Sequence, residues 1–296
     1  MDIVDKELNE IIHKILPGAI YEQCFKIEAQ TFPFYSFCQA DPQDRWSDQM
    51  TERLESPTRN HFIDLYNRRI VLDGLNKKLS EENGCYLDMG CSSGYMLEDV
   101  LGRFSKVKAV GADYFQAGLL QCHQRLPDVP LFQADLVHCQ FPDNLFDAIS
   151  CLNVLEHLEE DDRAIQQLYR IAKPGGVVAI TVPTMPGLYD MHDEVYGHLR
   201  RYELHNLERK VVSAGFKILR SNYFGFLIYP AFYVVKRISK IRFDQLSPDE
   251  KKQRAFSAIR DSGRCHFLDW LCRIEQALGG KLDYPFGLRG YIIAEK

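Results

Sequence analysis

The chain has 296 residues and a mass of 34.3 kDa, long for one domain and short for two complete ones, although a single α/β domain often reaches ~250 residues. Apolar residues make up 46% and charged residues 26%, enough to bury a core, and a formal net charge of −5 excludes nucleic-acid binding by bulk electrostatics. Nine cysteines, an odd number with no Cys-x-x-Cys pair, argue against a disulfide framework and a structural zinc and read as the habit of a reducing cytoplasmic environment.

The chain opens with MDIVDKELNE, acidic and without a basic patch leading into an apolar core, so no signal peptide is expected. Residues 1–84 read as a helical N-terminal segment or lid with one aromatic break, Thr31–Cys38. There Phe32, Phe34, Tyr35 and Phe37 are expected either to wall an acceptor pocket or to join the core. Asp41–Arg59, polar and holding two prolines, reads as a loop or lid. From His61 an apolar rhythm (Phe62, Leu65, Ile70, Leu72, Leu75) predicts a helix.

Residues 85–223 then alternate short apolar runs with helical stretches. Strands are predicted at Cys85–Met89, Val107–Asp113, Leu131–Ala134, Phe146–Leu152, Val177–Pro183 and about Phe216–Tyr223. Helices are predicted near Ser93–Phe104, Ala117–Arg125, Asp162–Ala172 and Glu203–Ala214. Such βαβ units build a parallel sheet covered on both faces, and residues 289–296 carry the last strand, Tyr291–Ala294. The expected fold is a Rossmann-like, doubly wound, mostly parallel sheet of seven strands, with residues 224–288 as a helical insertion that forms a lid or substrate region.

In an open parallel sheet the ligand sits at the carboxyl ends of the strands. The first of these ends in Asp88-Met89-Gly90-Cys91-Ser92-Ser93-Gly94, where Gly90 and Gly94 let backbone approach a ligand. A dinucleotide site wants G-x-G-x-x-G; Ser92 and Tyr95 break that register, and the Asp88 carboxylate, expected at the mouth of the loop, repels a diphosphate. The same carboxylate suits a phosphate-free cation such as S-adenosylmethionine. Asp113 ends the second strand, where an acid accepts from ribose hydroxyls, and Asp135 and Leu136 end the third, suited to an adenine amino group and ring. Each acid alone is as well read as a solvated strand end; the three together point to one site.

These stretches resemble the class I S-adenosylmethionine-dependent methyltransferases, in the branch of the ubiquinone-biosynthesis type enzymes. LDMGCSSG is similar to the first motif, GADYF to the ribose-binding strand end, and FQADL through FPDNLFDAISCLNVLEHLEEDDRAI to the middle motifs. LYRIAKPGGVVAITVP, HDEVYGHLRRYELHNLERKVVSAGF and PFGLRGYIIAEK extend the resemblance over roughly residues 61–296. It implies that Asp88, Gly90, Cys91 and Gly94 hold the methionine end, that Asp113 and Tyr114 meet the adenosine ribose, and that Asp135 and Leu136 meet the adenine. It also implies that Asn153 contributes its backbone. Ser92 departs from the commoner glycine and is expected to keep a negative φ.

Methyl transfer to a hydroxyl needs alignment, a dry pocket and a base. Candidate bases follow the fourth and fifth strands: His157, then His192, Asp193, Glu194 and above all His198, with Arg200, Arg201 and Tyr202 behind. Structural roles are read beside the catalytic ones: His157 capping the next helix, Arg200–Tyr202 anchoring their loop. Glu156 and His157 with His192 and Asp193 include metal-ligand types, but Asn153 stands where metal-using relatives have a further acid, and no metal is expected.

Tyr223–Val235 (YFGFLIYPAFYVV) is apolar and is followed by KRISKIR; at thirteen residues with an internal proline it cannot cross a bilayer. It reads either as a lid or interfacial helix, giving peripheral membrane contact through 223–242, or as a helix completing the core, with His266–Leu278 packed against it. The expected activity is methyl transfer to oxygen of a small-molecule or lipid- or glycan-linked acceptor. The alternatives are a nicotinamide-dependent oxidoreductase and a non-catalytic cofactor-binding module. Nothing in the sequence specifies an oligomeric state.

Overall fold

The computed structural model describes residues 3–17, 20–21, 25–27, 30–38, 59–80, 84–243, 247, 250, 266–279 and 282–296. All seven expected strands are present: β5 (Cys85–Met89), β6 (Lys108–Asp113), β7 (Leu131–Gln133), β8 (Phe146–Leu152), β9 (Ala172–Pro183), β10 (Lys217–Phe224) and β11 (Arg289–Glu295). An eighth, β4 (Tyr35–Ser36), adds itself parallel to β7, so the sheet runs β10-β11-β9-β8-β5-β6-β7-β4. Only β11 runs against its neighbours, inserted between β9 and β10.

The helix-like reading of residues 1–84 is corrected in its middle. Helix α1 (Ile3–Ile15) is followed by β1 (Ile20–Tyr21), β2 (Phe25–Ile27) and β3 (Gln30–Phe32), a small antiparallel sheet, before α2 (Phe62–Leu79). The aromatic break supplies the reason for β4. Phe37 stacks on Phe132 at 5.7 Å and meets Phe141 edge-on, and its N–H donates to the Gln133 carbonyl at 2.9 Å. Tyr35 and Phe37 therefore pack against the core and Phe34 against its other layer, and none of the three lines the large cavity described below. The expected loop or lid at Asp41–Arg59 lies outside the described residues except for Arg59.

Helices α3 (Tyr95–Arg103), α4 (Gln116–Arg125), α5 (Asp161–Ile171) and α7 (Leu204–Ser213) lie where the apolar spacing put them; α6 (Met191–Val195) is a single short turn between β9 and α7. One face of the sheet is covered by α2, α3 and α4, through Leu75, Leu97, Val100 and Leu119. The other is covered by α1, α5 and α7, through Ile12, Ile165, Leu168 and Leu207. Every residue of β5 is buried, as a central strand covered on both faces requires.

Among its described residues the insertion holds two helices, α8 (Tyr229–Phe243) and α9 (His266–Gly279). Pro230 sits at the second position of α8, where its missing N–H is harmless. Helix α9 packs on α2 and β10 and shares an apolar cluster with Phe232 of α8. Arg69 pairs with Asp269 at 2.6 Å, and buried Glu275 accepts from the backbone N–H of Phe226 and Leu227, fixing the turn that launches α8. No helix among the described residues is long and apolar enough to cross a membrane.

Candidate active site

Strand order reverses between β5 and β8, and the loops after β5, β6, β7, β8 and β9 all open into one cavity of about 1010 Å³. At its floor the chain turns tightly. Gly90 and Gly94 both have φ +83°, and a Cβ there would lie 2.3 Å from Val154 Cγ2 and 2.4 Å from Cys122 Sγ respectively. Ser92 between them has φ +44°, which corrects the expectation of a negative value. Its N–H donates to Asp113 Oδ2 at 2.8 Å, and that bond holds the residue in the left-handed region, at a cost of order 1–3 kcal/mol.

The three acids differ in setting. Asp88 is not at the mouth of the loop; it points from β5 with 2% exposure and accepts a hydrogen bond from the Ser150 hydroxyl, itself bonded to Tyr86. Burial pushes its pKa up to about 7, against the Ser150 bond and with the Asp113 charge adding to the rise. Asp113 accepts from the N–H of Ser92 and, at 2.9 Å, of Phe115, so it clasps the glycine loop and the start of α4 at once. Asp135 accepts from the Val137 N–H and pairs with His138, each at 2.8 Å, with Leu136 buried beside it. Cys91, Tyr114, Phe115 and Leu136 also line the cavity, Tyr114 and Phe115 meeting edge-on.

Asn153 has φ +54°, tolerable for Asn, and its Oδ1 accepts from Arg289, whose other nitrogen pairs with Asp64 at 3.2 Å. Burial alone would raise the Asp64 carboxyl, but Arg289 and His61 hold it below its ordinary value.

The three candidate histidines separate clearly. His198 gives Nδ1 to Asp193 Oδ1 at 2.8 Å, and its Nε2 lies 3.9 Å from Glu156 Oε1. Its ring meets His157 edge-on at 4.9 Å. His157 does not cap α5, whose N-cap Glu160 makes no side-chain cap; burial, with the His198 charge, pushes its pKa down to about 3. His192 turns to Asp190 at 3.2 Å instead. Asp193 is the hub: both oxygens accept from Arg201 Nε at 2.9 Å, one pairs with His198, and Lys236 reaches it at 3.5 Å. Burial would raise its carboxyl, yet these partners hold it well below the carboxylate range, so it orients and does not take protons. Tyr202 donates to the Leu155 carbonyl and Asp161, and Arg200 pairs with Asp161, an anchoring arrangement.

Sequence reasoning passed over Asn67, Lys236 and Arg289 and weighed Glu156 only as a metal-ligand type. Glu156 is 1% exposed, neither carboxylate oxygen has a hydrogen-bond partner, and burial raises its pKa despite His198. It offers an oxygen within 4.8 Å of ring nitrogens of His157 and His198; His192 and Asp193, weighed beside it as ligand types, are not part of that cluster. Asn67 on α2 lines the cavity with its buried Oδ1 unpartnered. Arg289 and Lys236 arrive from β11 and α8. Asp64, Asn67 and Arg68, at helical spacing on one face of α2, were the available signal for that wall of the cavity.

The donors fit a phosphate-free cationic nucleoside. Buried Asp88 takes its hydrogen bond from a hydroxyl and not from a cation, and Asp88, Asp113 and Asp135 line one cavity. Residues 87–180 match the methyltransferase domain family. A ubiquinone biosynthesis O-methyltransferase of Pseudomonas entomophila is 30% identical over 142 residues, 45% of this chain and 56% of the relative. A demethylmenaquinone methyltransferase of Paenarthrobacter aurescens is 30% identical over 129 residues, 41% of this chain and 49% of the relative. The chain thus spans about half the length of the curated relatives it matches. Among solved structures, the Haemonchus contortus phosphoethanolamine N-methyltransferase 2 in complex with S-adenosyl-L-methionine superposes with a TM-score of 0.56 at 17% identity. That alignment covers 86% of this chain and 58% of the other and speaks for the fold alone. Residues 87–180, within the α/β part, thus form a methyltransferase domain of the class I S-adenosylmethionine-dependent kind.

Proposed function

We propose that the chain transfers a methyl group from S-adenosylmethionine to a hydroxyl oxygen of a small-molecule or lipid-linked acceptor, with His198 as the base. The observation that carries this reading is the Asp193–His198 bond at 2.8 Å. A carboxylate on Nδ1 keeps the proton there and leaves Nε2 as the acceptor of the neutral ring. S-adenosylmethionine supplies a methyl group on a cationic sulfur that leaves with the bonding pair. Asp88, Gly90, Cys91 and Gly94 hold its methionine end; Asp113 and Tyr114 hold the ribose, Asp135 and Leu136 the adenine, and the Asn153 backbone lies alongside.

The acceptor enters beneath α8, whose Phe232 and Val235 line the cavity together with Ile63 and Leu288. His198 Nε2 removes the hydroxyl proton as the oxygen gains its methyl group, and Asp193 steadies the imidazolium that results. His157, kept neutral by burial, packs against the His198 ring and takes no proton near neutrality.

Residues 223–242 also support a peripheral lipid contact. The outer face of α8 exposes Tyr233, Val234, Val235 and Ile238, and Val235, 62% exposed, belongs to the cavity lining as well. Residues 209–243 contain eight basic residues and no acid, against a net charge of −5 for the whole chain. Such a helix lies in an anionic interface with its apolar side down. Co-sedimentation with phosphatidylglycerol vesicles, lost on Val234→Glu, tests that contact.

The reaction is tested by S-adenosylhomocysteine formation with a cell extract as acceptor source. His198→Ala is expected to lower turnover by about 10²-fold or more, the usual worth of a positioned base, while S-adenosylhomocysteine affinity stays within about twofold. Full activity of that variant rules His198 out as the base.

A further inference from the structure

Helix α6 is only five residues long, too short to hold its own orientation, yet it carries Asp193, the partner of His198. Its N-terminus is closed by a reciprocal cap: Asp190 accepts from the His192 N–H at 3.0 Å, and the Asp190 N–H donates to Asp193 Oδ2 at 3.1 Å. Two buried carboxylates thus stand side by side, and adjacent buried anions are stable only with cations between them. Arg201 serves Asp193 from the following loop. The cation reaching both comes from elsewhere in the chain. Lys236 on α8 places Nζ 2.5 Å from Asp190 Oδ1 and 3.5 Å from Asp193 Oδ2, with its side chain 13% exposed.

Lys236 lies one turn beyond Phe232 on the inward face of α8, and both line the cavity. Phe232 meets Phe62 of α2 edge-on, so the same face that roofs the acceptor space also grips the acids that aim the histidine. We propose that Lys236 is a positioning residue for methyl transfer, joining closure of α8 over the cavity to the alignment of His198 through Asp190 and Asp193. Lys236 acts through the carboxylates and does not touch the acceptor's reacting oxygen. The inference rests on the reading of His198 as the base. Its chemical content is that the roof and the base share one ionic joint, so loosening the roof misdirects the base.

The test compares the full chain with Lys236→Gln, Lys236→Arg and His198→Ala. In Lys236→Gln, S-adenosylhomocysteine formation from a total lipid extract is expected to fall by about tenfold or more, the worth of one charge-assisted hydrogen bond. Affinity for S-adenosylhomocysteine stays within about twofold, because the nucleoside end is untouched. Amide exchange in residues 232–238 is expected to quicken by about tenfold, the ¹⁵N shifts of the His198 ring to move, and Lys236→Arg to restore all three. A purely structural lysine would leave the His198 nitrogens unmoved. Unaltered exchange and unaltered His198 shifts in Lys236→Gln overturn the proposal whatever the extract contains. If His198→Ala retains full turnover, the assignment of the base fails. If it is inactive while Lys236→Gln turns over normally, only the role of Lys236 fails.

Discussion

Asp88 offers the sharpest test of how this cleft handles charge. An aspartate in an unfolded chain titrates near 3.9, whereas in the folded protein burial lifts Asp88 to about 7. Between those two values the folded state holds a proton that the unfolded state has released, so stability falls as pH rises, by about 1.4 kcal/mol per pH unit. Below about pH 4 both states are protonated and above about pH 7 both are ionised, so the loss is confined to that window. With 2% exposure, little of the effect is screened by solvent. Asp88→Asn removes the titration while keeping an oxygen for the Ser150 hydroxyl. Relative to the native chain it should gain about 3 kcal/mol between pH 5 and pH 8, a comparison in which the fixed cost of burying the amide cancels. Urea unfolding of the ligand-free proteins at both pH values measures it. The same substitution should weaken S-adenosylmethionine binding above pH 7, because the ionised carboxylate is what a cationic ligand meets. A difference in stability that does not vary with pH would refute the argument, since it would mean that Asp88 titrates like a solvated acid.

Other consequences follow from the loop geometry. Ser92→Gly should raise stability by about 1 kcal/mol, roughly 2–4 °C in Tm, because φ +44° is free for glycine; a lower Tm in calorimetry would count against strain at that residue. Asp113→Ala should weaken S-adenosylhomocysteine binding by about 1–3 kcal/mol and also loosen the loop, since the N–H groups of Ser92 and Phe115 lose their acceptor. Titration calorimetry showing unchanged affinity would remove Asp113 from the site. Gly90→Ala should destabilise the fold by about 2–3 kcal/mol, with part recovered in Gly90→Ala/Val154→Ala, because the new methyl group would lie 2.3 Å from Val154 Cγ2. An equal loss in the double variant would locate the cost in the backbone alone.

Strand and helix order from Cys85 to Ala214 was legible because the periods are unambiguous there: short apolar runs buried on both faces, separated by stripes at helical spacing. That Asp88, Gly90, Asp113 and Asp135 share one cavity was legible for a related reason. They occupy strand ends, and in a parallel sheet all strand ends of one polarity gather on one edge, so sequence position becomes spatial position. The N-terminal strands were not, since β1 to β4 span only two or three residues each and β4 pairs with Phe132 and Gln133 of β7, far along the chain. The positive φ of Ser92 was also hidden, because a hydrogen bond from its N–H to Asp113, set on the next strand, selects it.

What the amino-acid order decided by itself is the sheet, its helical cover and the row of carboxylates at Asp88, Asp113 and Asp135, all consequences of local periodicity and strand polarity. Tertiary structure alone decided which histidine is aimed and by what. His157, His192 and His198 are equivalent as letters, and they part only because burial silences the first, Asp190 takes the second, and Asp193 orients the third. Lys236, Arg289 and Asn67 reach the same cavity from three elements remote in the chain. Hydrogen bonds and desolvation act over a few ångströms of space, and no spacing along a sequence carries that distance.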